Sequence, residues 1–195
     1  MRSFTELAGR YRSGVDYLVS AQQRDSRVLI LAPHGGKIEP GTSEICRAIA
    51  GADCSFYCLE GALPKDNRRL HITSTCFDEP LALGMLARAD IVITVHGLAG
   101  REAEFVMVGG RDEKLGESIK LELEAGGFRS EPVSEQLRGT APENLVNRGR
   151  TGRGVQLEIS RRLRDSLVQD LRRRTAFSQT IRRAIAEHTG RLPDS

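Results

Sequence analysis

Apolar residues along this chain follow two rhythms. Short runs, nearly unbroken, occur at Val28 to Ala32, Ser55 to Leu59, Ile91 to Val95, Phe105 to Val108 and Gly154 to Ser160. Elsewhere they recur every three or four positions, as in Leu115, Ile119 and Leu123 after Glu113, and in Phe177, Ile181 and Ile185 between Ala176 and His188. The runs predict strands, the first and third of them covered on both faces, and the longer rhythm predicts helices with one buried stripe.

Punctuation residues bound these elements. Pro33 is expected to end the first strand, because proline cannot donate to a ladder. Thr42-Ser43-Glu44 supply N-cap chemistry for a helix ending near Ala50-Gly51, Asp78 caps one that runs to Ala89 with Pro80 in its first turn, and Ser160 caps Arg161 to Arg173. Residues 3 to 23 read as a short polar helix, or helix and turn, with Phe4, Leu7, Tyr11, Tyr17 and Leu18 as its stripe. Glu60-Gly61 begin a loop, and Leu70 to Ser74 is an extended segment. From Phe128 to Gly152 the pattern dissolves into Pro, Gly, Asn and Arg. A long irregular stretch inside a compact domain is more often functional than idle, so this is the expected lid or substrate loop. Strands alternating with helices over 195 residues predict one α/β domain spanning residues 1–195.

Composition adds few constraints. Hydrophobic residues at 39% and charged residues at 28% describe an ordinary globular chain, and no segment is apolar enough to span a membrane. The net charge is only +3, but it is carried by 25 Arg against 4 Lys. Arginine's planar fork suits carboxylate and phosphate, although genomic base composition can produce the same skew. Cys46, Cys54, Cys58 and Cys76 match no zinc-ribbon or disulfide spacing and are expected to be free thiols in a reducing compartment. Met1 to Ser20 lacks the apolar core of a signal peptide, so a cytoplasmic protein is expected, acting as a monomer.

The chemistry gathers at strand ends. His34-Gly35-Gly36 follows the first apolar run, with Glu39 five residues on, and His96-Gly97 follows Ile91 to Val95. A single histidine after a strand is ordinarily a turn residue bonded to backbone. Two of them on strands of one sheet are harder to dismiss, because parallel neighbours bring their carboxyl ends together, where open α/β sheets bind ligands. Glu158 sits among apolar neighbours near the end of the last run, either facing solvent at an edge or buried against the cluster. Two imidazoles and one carboxylate with a fourth position open would make a hydrolytic zinc site, and a further carboxylate could shuttle protons. His188 near a helix end is explained by the helix dipole.

Longer motifs surround these residues: Ala32-Pro33-His34-Gly35-Gly36-Lys37-Ile38-Glu39-Pro40-Gly41-Thr42-Ser43-Glu44, Leu70-His71-Ile72-Thr73-Ser74, Val95-His96-Gly97, Val108-Gly109-Gly110-Arg111-Asp112, Asn144-Leu145-Val146-Asn147-Arg148 and Gly154-Val155-Gln156-Leu157-Glu158. Together, from about Tyr11 to Ile185, the chain resembles the poly-γ-glutamate hydrolase family, also labelled a phage-related replication protein family. The resemblance implies an open mixed β-sheet flanked by helices, similar to zinc carboxypeptidases, and a prophage-encoded protein of this kind would be released on lysis. It implies zinc held by His34, Glu39 and His96, with a rotated arrangement involving His71 as the alternative to Glu39, and Glu158 as general base. His71 is otherwise a loop residue bonded to backbone or a substrate contact. Asn147 and Arg148 are similar to the Asn-Arg pair with which carboxypeptidases hold a substrate carboxylate. Arg101 and Arg148 are the expected oxyanion arginines.

The activity implied is cleavage of an amide by water activated at zinc, on γ-glutamyl linkages of poly-γ-glutamate or a related acidic peptide. Each repeat of such a polymer carries a free α-carboxylate, so an arginine-lined groove is required, with Arg138, Arg148, Arg150 and Arg153 as candidates. The competing reading is a non-enzymatic polyanion-binding or nucleic-acid-binding replication protein in which the His-Gly loops are structural. With no Trp and 5% aromatic residues the chain offers no stacking platform, which makes a nucleic-acid partner the weaker expectation.

Overall fold

The apolar runs assemble into one open sheet in the computed structural model, which describes residues 1–100 and 102–190. Its strands are β1 (Tyr17–Gln22), β2 (Val28–Gly36), β3 (Ser55–Gly61), β4 (Ile91–Gly97), β5 (Val106–Gly110), β6 (Ser130–Glu131) and β7 (Val155–Ile159), in the order β1-β3-β2-β4-β7-β5-β6. The central strands β3, β2, β4 and β7 are parallel, while β1 and β5 run antiparallel at the two sides. The sheet is therefore mixed, as expected, and the carboxyl ends of β2, β4 and β7 emerge side by side.

Helices α1 (Phe4–Arg10), α2 (Thr42–Ala50), α3 (Pro80–Leu86), α4 (Glu113–Ala125), α5 (Arg161–Gln169) and α6 (Leu171–Thr189) cover the two faces unequally. Alternate strand residues such as Ile30, Ile93, Val108 and Leu157 pack with Ile45, Ile119, Leu163 and Ile181 of α2, α4, α5 and α6. On the opposite face Leu29, Leu31, Tyr57 and Val92 meet Leu7 of α1, Met85 and Leu86 of α3, and residues of irregular segments: Ile38, Leu70, Ile72, Phe77, Leu145 and Val146.

Several local expectations change. The amino-terminal stretch is helical only to Arg10. Gly14, at φ 79°, then turns the chain in the left-handed region that glycine tolerates, and Tyr17–Gln22 pairs with β3 as a strand. Pro33 does not end β2. Its ladder to β4 has already stopped at Leu31, and the pairing with β3 shifts register between Ala32 and Gly35, so no N–H is needed from residue 33. Helix α3 stops at Leu86, with Glu79 rather than Asp78 capping it by accepting from Ala82 N at 2.8 Å. The helix expected to reach Arg173 breaks at Asp170, whose side chain caps α6. Ser160 precedes α5 without a side-chain cap bond, and its Oγ accepts from Phe105 N instead.

Candidate metal centre

His34 is placed by the register shift in β2. Counting parity from Ile30 and Ala32 would send it to the helix-covered face; the shift breaks that count, and it meets His96 instead. The ring is almost fully buried, and its Nε2 lies 2.7 Å from the carbonyl oxygen of Ile72. A carbonyl can only accept, so Nε2 carries a proton and Nδ1 is aimed inward, the arrangement by which an outer partner fixes the tautomer of a metal-ligating histidine.

Around that Nδ1 the other donors gather. His96 Nδ1 lies 3.1 Å away and Glu39 Oε1 3.3 Å away, while Glu39 Oε2 is 3.9 Å from His96 Nδ1. The turn after β2 fixes Glu39: its N–H donates to His34 O at 2.9 Å, Thr42 Oγ1 donates to its carbonyl at 2.8 Å, and Gly97 N–H donates to its Oε2 at 2.8 Å. Thr42 and Ser43 thus serve the turn, Ser43 by accepting from Gly36 N, while Gly41 occupies the N-cap position of α2. Gly36 must be glycine: φ is 60°, and a Cβ would run into the backbone of Gly61.

Electrostatics favour ligation. Burial pushes the Glu39 carboxyl up, but the charges of His34 and His96 together with hydrogen bonds from His34 and the Gly97 N–H outweigh it and hold the group at about 2. Burial and then the neighbouring His34 charge lower His96 to about 3 and His71 to about 4. Glu39 is therefore ionised and these two imidazoles neutral near pH 7, the forms that bind metal. His34 Nδ1 faces a carboxylate oxygen of Glu39 across 3.3 Å, so either a proton on that nitrogen or a cation joins the two.

His71 also belongs to the cluster. Its Nε2 is 3.9 Å from Glu39 Oε1, and donor atoms of His34, Glu39 and His71 lie within 4.8 Å of one another. Its ring stacks on His34 with centroids 3.8 Å apart and planes 22° apart. His96 approaches the same pair from the other side, its Nδ1 lying 3.1 Å from His34 Nδ1 and 3.9 Å from Glu39 Oε2. Ligands about 2.0–2.2 Å from a tetrahedral ion lie roughly 3.3–3.5 Å apart, which the His34–His96 and His34–Glu39 separations approach. The lone pairs of stacked imidazoles lie in separate, nearly parallel planes, here with ring centroids 3.8 Å apart, so an ion in the plane of one ring is out of the plane of the other.

Glu158 completes the group. It is the ladder partner of His96 and is buried. Burial, and then the charge of Glu39, raise it to about 8. Gln156, two residues earlier on the same face, donates Nε2 to Glu158 Oε1 at 3.1 Å.

Asn147, Arg148 and Arg138 lie in the segment expected to be a substrate loop, which has short structured turns at Glu135–Leu137 and Leu145–Asn147. Asn147 is buried and donates Nδ2 to Gly139 O and Ala141 O, folding the loop on itself. Arg148 is exposed with Nη1 bonded to Phe77 O at 2.6 Å, and Arg138 is exposed and paired with Glu135 at 3.4 Å. Among the described residues none of the three bonds the His–Glu cluster. Arg101 lies outside the described residues. Sequence reasoning missed Gln156, whose Oε1 accepts from Asn144 Nδ2 and whose Nε2 also reaches Leu137 O, so that one amide ties the loop to Glu158. The signal was available: residues two apart on a strand share a face. It also missed Arg164, which lies buried on α5 with nothing in the local sequence to distinguish it from the other arginines of that helix.

Comparison with known proteins gives a consistent picture. The family described as poly-gamma-glutamate hydrolase matches residues 1–187. The UPF0714 protein YmaC of Bacillus subtilis is 42% identical over 171 residues, covering 86% of this chain and 72% of YmaC. A bacteriophage poly-gamma-glutamate hydrolase superposes with TM-score 0.92 at 31% identity, covering 97% of this chain and 98% of the other. The zinc-free form of YndL superposes at 0.90 with 34% identity, covering 96% and 98%.

Proposed function

The chain belongs to the poly-γ-glutamate hydrolase family, and from that premise we propose that it is a zinc-dependent amide hydrolase whose ion is held by His34, Glu39 and His96. The observation that carries this reading is the convergence of two strand-end imidazoles and an ionised carboxylate beside a buried acid, Glu158, on the adjoining strand. His71 is assigned to the rim, packed on the face of His34 where a substrate arrives. When bound, zinc supplies Lewis acidity, polarising a carbonyl and drawing the pKa of water towards neutrality.

The residues of this chain do the rest. Glu158 takes a proton from the attacking water and returns it to the leaving amine. Gln156 occupies Oε1, which leaves Oε2 for that transfer. At about 8, Glu158 holds its proton near neutrality, and a cation beside it favours the carboxylate that a base requires. Arg148, braced at one nitrogen by Phe77 O, has further donors for an oxyanion or a substrate carboxylate, and Arg138 lies along the same exposed loop. A γ-linked polyglutamate, with one free carboxylate per repeat, is the substrate these arginines suit.

The test is Glu158→Gln, which keeps size and hydrogen bonding but cannot accept a proton. Cleavage of γ-glutamyl amide should fall about 100- to 10,000-fold with zinc content unchanged. A variant that keeps both zinc and near-normal turnover removes Glu158 from the mechanism, and loss of zinc makes it a ligand.

A further inference from the structure

Arg164 projects from α5 towards the strand ends and is 2% exposed, an unusual position for a guanidinium. Its hydrogen bonds go to backbone carbonyls. Nε donates to Pro40 O at 2.8 Å, and Nη1 donates to Leu98 O at 3.1 Å and to Ile159 O. Pro40 follows Glu39, Leu98 lies two residues beyond His96, and Ile159 follows Glu158. A single cation therefore holds the chain just past each of three residues that come from three separate segments. Gly97 makes room for it, since a Cβ there would overlap the guanidinium carbon. Burial draws Arg164 down to about 10, so it remains charged near neutrality.

We propose that Arg164 is a positioning residue that sets the mutual spacing of Glu39, His96 and Glu158 by clamping the carbonyls that follow them. This rests on the zinc reading of the cluster. The guanidinium suits the task because its planar fork presents donors in several fixed directions, whereas a lysine offers one compact point charge. Merely attaching α5 to the sheet would be an apolar task, and Leu163 and Leu167 already perform it. The segments after His96 and Glu158 already meet in the Gly97–Ile159 ladder pair and the bond from Leu98 N–H to Ile159 O at 2.9 Å, and the arginine adds Pro40 O, next to Glu39, to the same fork.

The experiment compares wild type with Arg164→Lys and Arg164→Gln, in full-length protein, by zinc dissociation constant in chelator competition. In parallel, the imidazole nitrogen NMR signals of His34 and His96 are recorded on zinc-free protein. Loss of an outer partner typically costs about 10- to 100-fold in metal affinity, and Arg164→Gln is expected to fall in that range, with Arg164→Lys recovering part of it. The His96 signals should shift in both variants. A purely structural arginine would lower the melting temperature while leaving the zinc constant and the imidazole signals of the folded protein as in wild type, and that result overturns the proposal. If neither variant folds, Gly97→Ala displaces the guanidinium while retaining it, and the same readouts decide. Wild-type protein without zinc affinity would instead defeat the zinc reading, and the imidazole signals would still decide the role of Arg164.

Discussion

His34 and His96 end neighbouring parallel strands, and each is followed by glycine, yet their outer nitrogens meet different surroundings. His34 donates Nε2–H to Ile72 O at 2.7 Å, from a segment on the opposite side of the cluster. His96 Nε2 is buried and, among the described residues, has no hydrogen-bond partner. A buried unsatisfied polar atom costs about 1–3 kcal/mol, so the second histidine carries a penalty that the first avoids. One imidazole is therefore preset in tautomer by the protein, while the other has its proton placed by whatever occupies the centre. The same local motif, repeated, yields a fixed donor and an adaptable one.

That contrast can be broken most sharply at the donors themselves. His34→Ala and His96→Ala should each weaken zinc binding by more than about 100-fold, beyond the loss of an outer partner, in chelator competition. If His96→Ala binds like wild type while His34→Ala does not, the two are not partners at one ion, and His71 takes the third position.

The next effect is on stability in zinc-free protein. His96 sits at about 3 against an ordinary 6.5, so the unfolded chain takes up a proton first and stability is lost as pH falls from 6.5 towards 3. Glu158 behaves oppositely. At about 8 against an ordinary 4.5, it stays protonated when folded while the unfolded chain ionises, so stability is lost as pH rises from 4.5 to 8. At about 1.4 kcal/mol per unit, each limb is on the order of a few kcal/mol. Thermal melts from pH 4 to 9 (about the range these windows span) should show His96→Gln flattening the acid limb and Glu158→Gln the alkaline one. Unchanged limbs would mean that these groups titrate normally.

The smallest effect sharpens the comparison from outside. If the proposed set of His34, Glu39 and His96 holds the ion, His71→Ala removes only the ring stacked on His34 and should weaken zinc by about 10-fold or less, the low end for an outer contact. A loss as large as that of His96→Ala would make His71 the ligand.

Some of this was legible without coordinates. The strand runs at Val28, Ile91 and Val155, and the helices at Glu113 and Arg161, follow from apolar period alone, because burial on two faces or on one stripe leaves a mark in adjacent residues. The segment before β2 was misread because Tyr17, Leu18 and Val19 satisfy either period over so short a span. Pro33 misled because the rule it obeys concerns ladder bonds, and whether a bond is needed at that position depends on the neighbouring strands.

The sequence by itself determined which chemical groups stand at or near strand ends: His34 and His96 each follow an apolar run and precede glycine, Glu39 comes five residues after His34, and Glu158 lies near the end of the last apolar run. Only the tertiary structure decided how they face one another. The register shift that turns His34 towards His96, the Ile72 carbonyl that sets its proton and the Arg164 fork across Pro40 and Leu98 join residues far apart in the chain. Most of these bonds use backbone carbonyls, which every residue carries. No side-chain pattern can announce them, and they exist only once packing has brought the segments within hydrogen-bonding distance.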